Sequence, residues 1–317
     1  MNSTKHPPFP PILAIIIGIL AVSTASIFIN FALEEASSIV IAAWRLTVAS
    51  LILLPVAATR HRGEITSLKR KDLLLVVLSG TFLGVHFATW ISSLKYTTVA
   101  SSVVLVATIP LWVALLSPFT IKEPIKRLVW IGLAFTLSGV IVVFISDTCS
   151  YSAGSFTCPS LATFVHGQAF LGDLLAIAGA IAGAGYLLIG RRLRTKMSLV
   201  GYISLVYGMA AVVLVITMLS AGEKPFGYSP MIYLWMILLG IIPQLIGHSS
   251  FNWALGYLSA AFVSITLLGE PIGSTILAYF ILDQKPTLLK LAGGALVLLG
   301  IYIASRAETS QSPELPN

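Results

Sequence analysis

Long apolar stretches alternate with short polar loops along almost the whole chain. Inside a bilayer every backbone N–H and C=O must be hydrogen-bonded within its own segment or in a closed barrel, and these stretches are too long and continuously apolar for barrel strands. A bilayer-spanning helix needs about 20 residues. Ten stretches reach that length, at about 11–31, 38–58, 73–93, 97–117, 127–146, 168–190, 199–220, 230–250, 257–282 and 287–305. The pattern predicts an all-α, polytopic membrane protein of about ten transmembrane helices.

The composition and the position of the charges agree with this prediction. Hydrophobic residues make up 57% of the 317 residues and charged residues 10%, whereas soluble domains carry about 25% charged residues. If the N-terminus is cytoplasmic, fourteen Lys and Arg residues lie in inner segments and four in outer segments, with Arg45 inside the second stretch. The positive-inside rule then predicts a multi-pass plasma-membrane protein with both termini in the cytoplasm. The net charge of +7 therefore reflects the Lys and Arg residues of the predicted cytoplasmic loops. We expect the lipid bilayer, not nucleic acid, as the partner.

The segment 147–167 contains no Lys or Arg and falls on the outer face in this orientation. It holds both cysteines, Cys149 and Cys158. An oxidising compartment would allow a disulfide between them, and two unpaired thiols are the alternative. The cysteines do not form a CxxC pair or a metal-ligand spacing, so we expect no metal site and no cofactor.

The chain contains an internal repeat at an offset of 161 residues. The offset places residues of the first half on identical residues of the second half, among them Leu94 on Leu255, Tyr96 on Tyr257, Pro110 on Pro271, Gly132 on Gly293 and Gly139 on Gly300. Each unit has five predicted spans, an odd number, so the second copy must enter the bilayer from the opposite side. The predicted organisation is a first repeat at 1–146, an outer loop at 147–167, a second repeat at 168–306 and a cytoplasmic tail at 307–317.

Four motifs give the chain a family resemblance. They are Ala43–Leu46 (AWRL), Trp90–Pro110 (WISSLKYTTVASSVVLVATIP), Leu268–Pro271 (LGEP) and Gly293–Gly300 (GGALVLLG). Through them the chain resembles the EamA-type transporters of the drug/metabolite transporter superfamily over about residues 11–305. The resemblance implies a ten-helix carrier, and many members export amino acids or other metabolites. The chain departs from the family at Lys122-Glu123-Pro124 and Asp283-Gln284-Lys285-Pro286, where Gly-Glu is frequent, which affects only the loop geometry.

Glu270 is a candidate coupling residue in the ninth stretch. An ionisable side chain near the middle of a span costs a few kcal/mol and is usually retained for a function. Thr266 and Ser274 lie four residues to either side of Glu270, and on one continuous helix all three would share a face. Glu270 could load and release a proton in transport. A structural hydrogen bond near Pro271 is the alternative.

Arg45 is the second charge that the pattern places within a span. Three interpretations are open. Arg45 could be the counter-ion of Glu270, it could bind a substrate carboxylate through its planar guanidinium, or it could reach the outer lipid headgroups.

Two further pairs combine a polar group with an aromatic neighbour or an amide at helical spacing. His86 and Trp90 lie four residues apart in the third stretch, and His248 and Asn252 repeat that spacing in the eighth. Such groups suit a cavity for a small organic molecule. A packing role with a single hydrogen bond is the alternative for each histidine.

Together these features predict a secondary transporter, not an enzyme, that moves a small-molecule substrate by alternating access between two inverted halves. Amino acids or drug-like metabolites are candidate substrates for efflux, and protons are the candidate coupling ion. A membrane-embedded enzyme with Glu270 and His86 as acid and base is one alternative, although no HExxH, nucleophile or phosphate motif accompanies them. A passive facilitator of the same fold is the other.

Overall fold

Helices form almost all of the protein in the computed structural model, which describes residues 10–120, 127–148, 150–152, 155–157, 167–258 and 260–309. The prediction of an all-α, polytopic fold is confirmed. The helices of the first half are α1 Pro11–Ser23, α2 Ala25–Ala32, α3 Ser38–Arg60, α4 Arg62–Thr66, α5 Arg70–Ser93, α6 Val99–Val106, α7 Ile109–Thr120 and α8 Arg127–Thr148. The second half contains α9 Gln168–Arg194, α10 Leu199–Ser220, α11 Pro230–Leu239, the π-helical segment Gly240–His248, α12 Ser249–Ala254, α13 Ala260–Thr266, α14 Gly269–Ile281 and α15 Leu288–Thr309.

Eight helical stretches in the described ranges are long and apolar enough to cross a membrane. They are Pro11–Ala32, Ser38–Arg60, Arg70–Ser93, Val99–Leu116, Gln168–Arg194, Leu199–Ser220, Pro230–Ala254 and Val263–Ile281. Two further apolar stretches, Trp130–Val143 and Leu288–Ile303, are shorter. The protein is therefore a multi-pass membrane protein, and the count of ten spans stays a prediction.

A two-stranded antiparallel hairpin lies in the segment between the two halves. Strand β1, Ser150–Ser152, pairs with β2, Ser155–Thr157, and Ser150 lies opposite Thr157. Cys149 and Cys158 lie outside the described residues, so their disulfide stays a prediction.

The fourth and ninth predicted spans are each divided into two helices near a proline. The fourth span ends its first helix at Val106 and resumes at Ile109, and the ninth ends at Thr266 and resumes at Gly269. Pro110 and Pro271 lie in the first turn of the second helix in each case. Proline lacks an N–H and clashes with a preceding helical turn, but it is tolerated at a helix start. The predicted span at 257–282 therefore consists of two helices.

The eighth span also departs from a regular α-helix. Its central nine residues, Gly240–His248, form a π-helical segment that contains Pro243. Proline removes one backbone donor, which favours a change of hydrogen-bond register at this place. The first span is similarly divided, at Thr24, between α1 and α2.

Helices of the first half pack mainly against helices of the second half. Helix α8 lies along α15, α5 along α9, α3 against α10, α6 against α14, and α1 against the π-helical segment. A buried apolar core runs through nearly all of these contacts. On the outside, large apolar side chains such as Leu20 and Leu74 are 67% and 68% exposed, as expected of a surface that faces lipid tails.

Candidate functional site

Arg45 is a fully buried guanidinium between the two halves. Arg45 lies in α3 and is 0% exposed. Its Nε donates a 2.9 Å hydrogen bond to Oε1 of Gln244 in the π-helical segment. Its Cζ lies 4.0 Å from the centroid of the Phe87 ring and 5.9 Å from that of Trp90. A desolvated cation over an aromatic face gains about 2 kcal/mol. The charge of Arg45 is thus held inside the protein and does not extend to the lipid headgroups.

Three donor nitrogens around Arg45 are buried and have no hydrogen-bond partner in the described part of the chain. They are Nη1 and Nη2 of Arg45 and Nε1 of Trp90, while the side chain of Gln244 also hydrogen-bonds with Tyr207. We call the side chains of Arg45, Trp90 and Gln244 the donor cluster. A buried polar group without a partner costs roughly 1–3 kcal/mol, and more when it is charged, so native structures contain few of them. Their concentration at one place makes the cluster a candidate binding site.

His86 and His248 bring a polar, aromatic wall next to the donor cluster. The ring of His86 stacks on Trp90 at 6.0 Å between centroids and meets the ring of His248 edge-on at 6.4 Å. Nδ1 of His86 donates to the carbonyl of Gly179 in α9 at 2.8 Å. His248 also lies 5.2 Å from the ring of Phe87, beneath Arg45. The two predicted histidines therefore come together at the centre of the bundle.

Asn252 links this wall to two tyrosines of the second half. Its Nδ2 donates to the hydroxyls of Tyr186 in α9 and Tyr207 in α10, while its Oδ1 is buried without a partner in the structure as described. The hydroxyl of Tyr207 also lies 3.3 Å from that of Ser249. Gln244, Tyr186 and Tyr207 were not predicted as site residues from the sequence.

A small cavity lies beside these side chains. His86, His248, Asn252 and Tyr186 line it together with apolar residues of α7, α9 and α12 and with Leu267 at the break of the ninth span, and its volume is about 20 Å³. A water molecule needs about 10–15 Å³ by the same measure. The cavity therefore has room for about one water molecule, and a metabolite could enter only after the halves move apart.

Glu270 lies in the first turn of α14, at the break of the ninth span. A helix N-terminus carries a partial positive charge that stabilises a carboxylate. Glu270 interacts electrostatically with Arg45, but the two residues do not form an ion pair within 4.0 Å among the described contacts. Glu270 is therefore a neighbour of Arg45 and not its contacting counter-ion.

A helix break separates Thr266, the last residue of α13, from Glu270 and Ser274 in α14. The hydroxyl of Thr266 donates to Val263 in its own helix, at 2.7 Å. The buried hydroxyl of Ser274 donates to the carbonyl of Ser23 at the break of the first span, at 3.1 Å. Ser274 therefore ties α14 to α1, and both hydroxyls are directed to backbone atoms.

Comparison with known proteins assigns the chain to a family. The model of the EamA-like transporter family matches residues 9–145 and again residues 170–306. The chain belongs to the EamA-like transporter family. The resemblance found in the sequence motifs is thereby confirmed, and the protein is a membrane transporter of the drug/metabolite type.

Relatives that match most of the chain are named as transporters or membrane proteins. An uncharacterized transporter of Archaeoglobus fulgidus is 22% identical over 96% of this chain and 98% of its own. The uncharacterized transporter YdfC of Bacillus subtilis is 24% identical over 82% of this chain and 79% of its own. The inner membrane protein YtfF of Escherichia coli is 23% identical over 84% of each chain. Two of these names indicate transport, and transporters are generally not enzymes.

One solved crystal structure has the same fold. It superposes with a TM-score of 0.62 at 19% identity and covers 95% of this chain and 99% of the other. The likeness in fold extends over both halves.

Proposed function

We propose that this transporter carries small organic metabolites by alternating access between two inverted halves. The observation that carries the proposal is the buried polar site to which both halves contribute. Arg45 and Trp90 come from the first half, and Gln244 and Asn252 come from the second. A site made at the interface of two units changes its exposure when the units move relative to each other.

The helix packing supports a twofold relation between the halves. A methyl group added to Gly139 would lie 2.6 Å from the carbonyl oxygen of Gly293, and one added to Gly300 would lie 2.5 Å from that of Gly132. The 161-residue offset places Gly139 on Gly300 and Gly132 on Gly293, so the two glycine contacts are equivalent under the repeat. The same offset places α5 on the eighth span and α1 on α9, so the contact of α5 with α9 is equivalent to that of α1 with the eighth span. Two units related by such an exchange can swap conformations, which alternating access requires.

The divided helices support a site near the middle of the bilayer. Transporters commonly bind cargo where a helix is interrupted, because half-helix ends present partial charges there. In this protein the breaks after Val106 and Thr266 and the π-helical segment all lie within their spans. Glu270, at the start of α14, is the residue that we assign to proton coupling. We further propose plasma-membrane localisation with both termini in the cytoplasm, and efflux as the direction.

The test begins with a comparison of metabolites in cells with and without the protein, which requires no prior choice of cargo. The compound identified is then measured in proteoliposomes with a pH gradient, for the wild type, Glu270→Gln and the exposed control Glu34→Gln. We expect the Glu270→Gln variant to lose accumulation against a gradient and to keep downhill movement. Unchanged accumulation would remove Glu270 from coupling, and a wild type that never accumulates cargo would favour a facilitator. Chemical alteration of the compound by the purified protein would favour an enzyme.

A further inference from the structure

We propose that the cargo carries a carboxylate, and that the donor cluster of Arg45, Trp90 and Gln244 binds the carboxylate oxygens. This inference rests on the proposed function and names its substrate class. The decisive feature is the hydrogen-bonding balance of the cluster. Its unpaired buried atoms are three donor nitrogens, two on Arg45 and one on Trp90, so the complementary ligand group is rich in acceptors and poor in donors.

The geometry of Arg45 suits a planar, two-oxygen acceptor. Its Nε is occupied by Gln244, which fixes the plane and direction of the guanidinium. Its two terminal nitrogens, Nη1 and Nη2, are both buried without a partner in the described residues. Two parallel N–H groups match the two oxygens of a carboxylate, and such charge-assisted pairs are roughly twice as strong as neutral ones.

The neighbouring groups add a second donor direction and an apolar surface. Nε1 of Trp90 is a donor that cannot accept a hydrogen bond, and the rings of Phe87 and Trp90 lie within 6 Å of the Arg45 Cζ. Polar donors at one end and aromatic rings beside them fit an anion with a short organic skeleton. A free inorganic anion would leave the aromatic surface without an apolar partner.

The charge of the site also favours a single negative charge on the ligand. Arg45 is 0% exposed, and a buried cation is costly unless an anion pairs with it. Glu270 acts on Arg45 without contacting it within 4.0 Å among the described residues. A monocarboxylate would provide the contacting anion, whereas a doubly charged phosphate ester would exceed the one positive charge available.

The experiment measures uptake into proteoliposomes and thermal stabilisation of the purified full chain. The probes are the standard L-amino acids, 2-oxo acids and short-chain fatty acids, each paired with its carboxamide. The amide keeps the skeleton, loses the charge and replaces one acceptor oxygen with a donor. We expect at least one carboxylate to be bound and transported, with its amide weaker by about 10-fold or more, since hydrogen bonds to charged groups contribute about 1.5–3 kcal/mol.

Two variants then test the donor cluster itself. Arg45→Lys keeps the charge but loses the paired N–H groups, and we expect KM for the carboxylate to rise about 10- to 100-fold. Trp90→Phe removes one N–H and keeps an aromatic ring, and we expect KM for the carboxylate to rise several-fold. This variant still tests the cluster if Arg45→Lys fails to fold. The matched controls are Arg60→Lys and Trp130→Phe, whose side chains are exposed and whose KM should not change.

Several results would overturn the inference. It fails if the amide is transported as well as its carboxylate, if both variants keep the wild-type KM, or if no carboxylate of the panel binds. Uptake of a cargo without a carboxylate would reject the substrate class and leave the transporter function standing. Conversion of a probe into another compound would instead reject the proposed function.

Discussion

The carboxylate of Glu64 accepts two hydrogen bonds from Ser198, the N-cap residue of α10. Oε1 of Glu64 accepts a hydrogen bond from the backbone amide of Ser198 at 2.7 Å, and Oε2 accepts one from its hydroxyl at 2.6 Å. Nδ1 of His61 lies within hydrogen-bond distance of the same hydroxyl, at 3.0 Å. Because Glu64 lies in α4, between the second and third spans, this contact ties the loop of the first half to the seventh span of the second half.

Replacement of Glu64 by glutamine should weaken this tie and its response to acid. Burial by itself raises the pKa of Glu64, but hydrogen bonds from Ser198 and His61 outweigh burial and hold the pKa below its ordinary value. A carboxylate whose pKa is lower in the folded state than in the unfolded state stabilises the folded protein at any pH above the unfolded-state pKa. This stabilisation is lost as the pH falls through the folded-state pKa. We expect Glu64→Gln to cost roughly 1 kcal/mol at neutral pH, and less as the pH falls below about 4.

The measurement is thermal unfolding of purified protein in detergent from neutral to acidic pH. The exposed Glu34 provides the control, since Glu34→Gln should unfold as the wild type does at each pH. A Glu64→Gln protein that is as stable as the wild type at neutral pH would contradict the role assigned to the contact.

A second carboxylate, Glu35, makes the corresponding contact at the other predicted face. Its Oε2 accepts a 2.8 Å hydrogen bond from the backbone amide of Ser229, at the start of α11. If the two contacts close opposite ends of the site, Glu64→Gln should open the cytoplasmic side and Glu35→Gln the outer side. The reporter is a cysteine at Leu187, which lines the central cavity, in a background with Cys149 and Cys158 replaced by serine.

Labelling with a membrane-impermeant maleimide measures this opening in vesicles of either orientation. We expect Glu64→Gln to increase labelling from the cytoplasmic side and Glu35→Gln to increase it from outside, with Glu34→Gln as the control for both. Increased labelling from the same side in both variants would refute the assignment of the two contacts to opposite ends and the predicted topology with it.

The sequence allowed the fold and part of the site to be predicted for identifiable reasons. Span length and apolar content are properties of single segments, so the helices could be placed without tertiary information. Arg45, His86 and Asn252 were found because a polar group is costly within a span. The same signal was present at Gln244, an amide in the middle of the eighth stretch, and it could have been used.

Other parts of the site depend on tertiary packing, which the pattern does not contain. Phe87 and Tyr207 lie in spans that are apolar on all sides, so helical periodicity does not show which face points inward. The stripe of Thr266, Glu270 and Ser274 was inferred from a continuous helix. Pro271, in the same motif, was the available sign that the helix would begin again there.

The described strands around the two cysteines give a specific test of the disulfide. Ser150, which follows Cys149, pairs with Thr157, which precedes Cys158. We predict that the two cysteines are bonded in protein isolated under oxidising conditions, and that they resist alkylation until a reductant is added. Mass spectrometry of the peptide that contains both cysteines, with and without reductant, measures this. Free thiols in the unreduced sample would show that the alternative of two unpaired cysteines is correct.

The close approach of α8 and α15 leads to a prediction about helix packing. A methyl group at Gly139 would lie 2.6 Å from a backbone oxygen and 2.7 Å from a backbone nitrogen of α15, and at Gly300 it would lie 2.5 Å from a backbone oxygen of α8. A flexible side chain can change its rotamer to make room for a methyl group, but backbone atoms cannot, so the two helices would have to separate. We therefore expect Gly139→Ala and Gly300→Ala each to destabilise the protein by about 1–3 kcal/mol.

Thermal unfolding in detergent of both variants, beside a matched control, checks this prediction. Gly208 is also inside a spanning helix, and no atom lies within 4 Å of a methyl group added there. Because alanine is the better helix former, Gly208→Ala should leave stability unchanged or raise it by up to about 1 kcal/mol. Since the repeat offset exchanges the two glycine contacts, Gly139→Ala and Gly300→Ala should have similar costs. A large cost at one and none at the other would argue against a twofold relation between the halves.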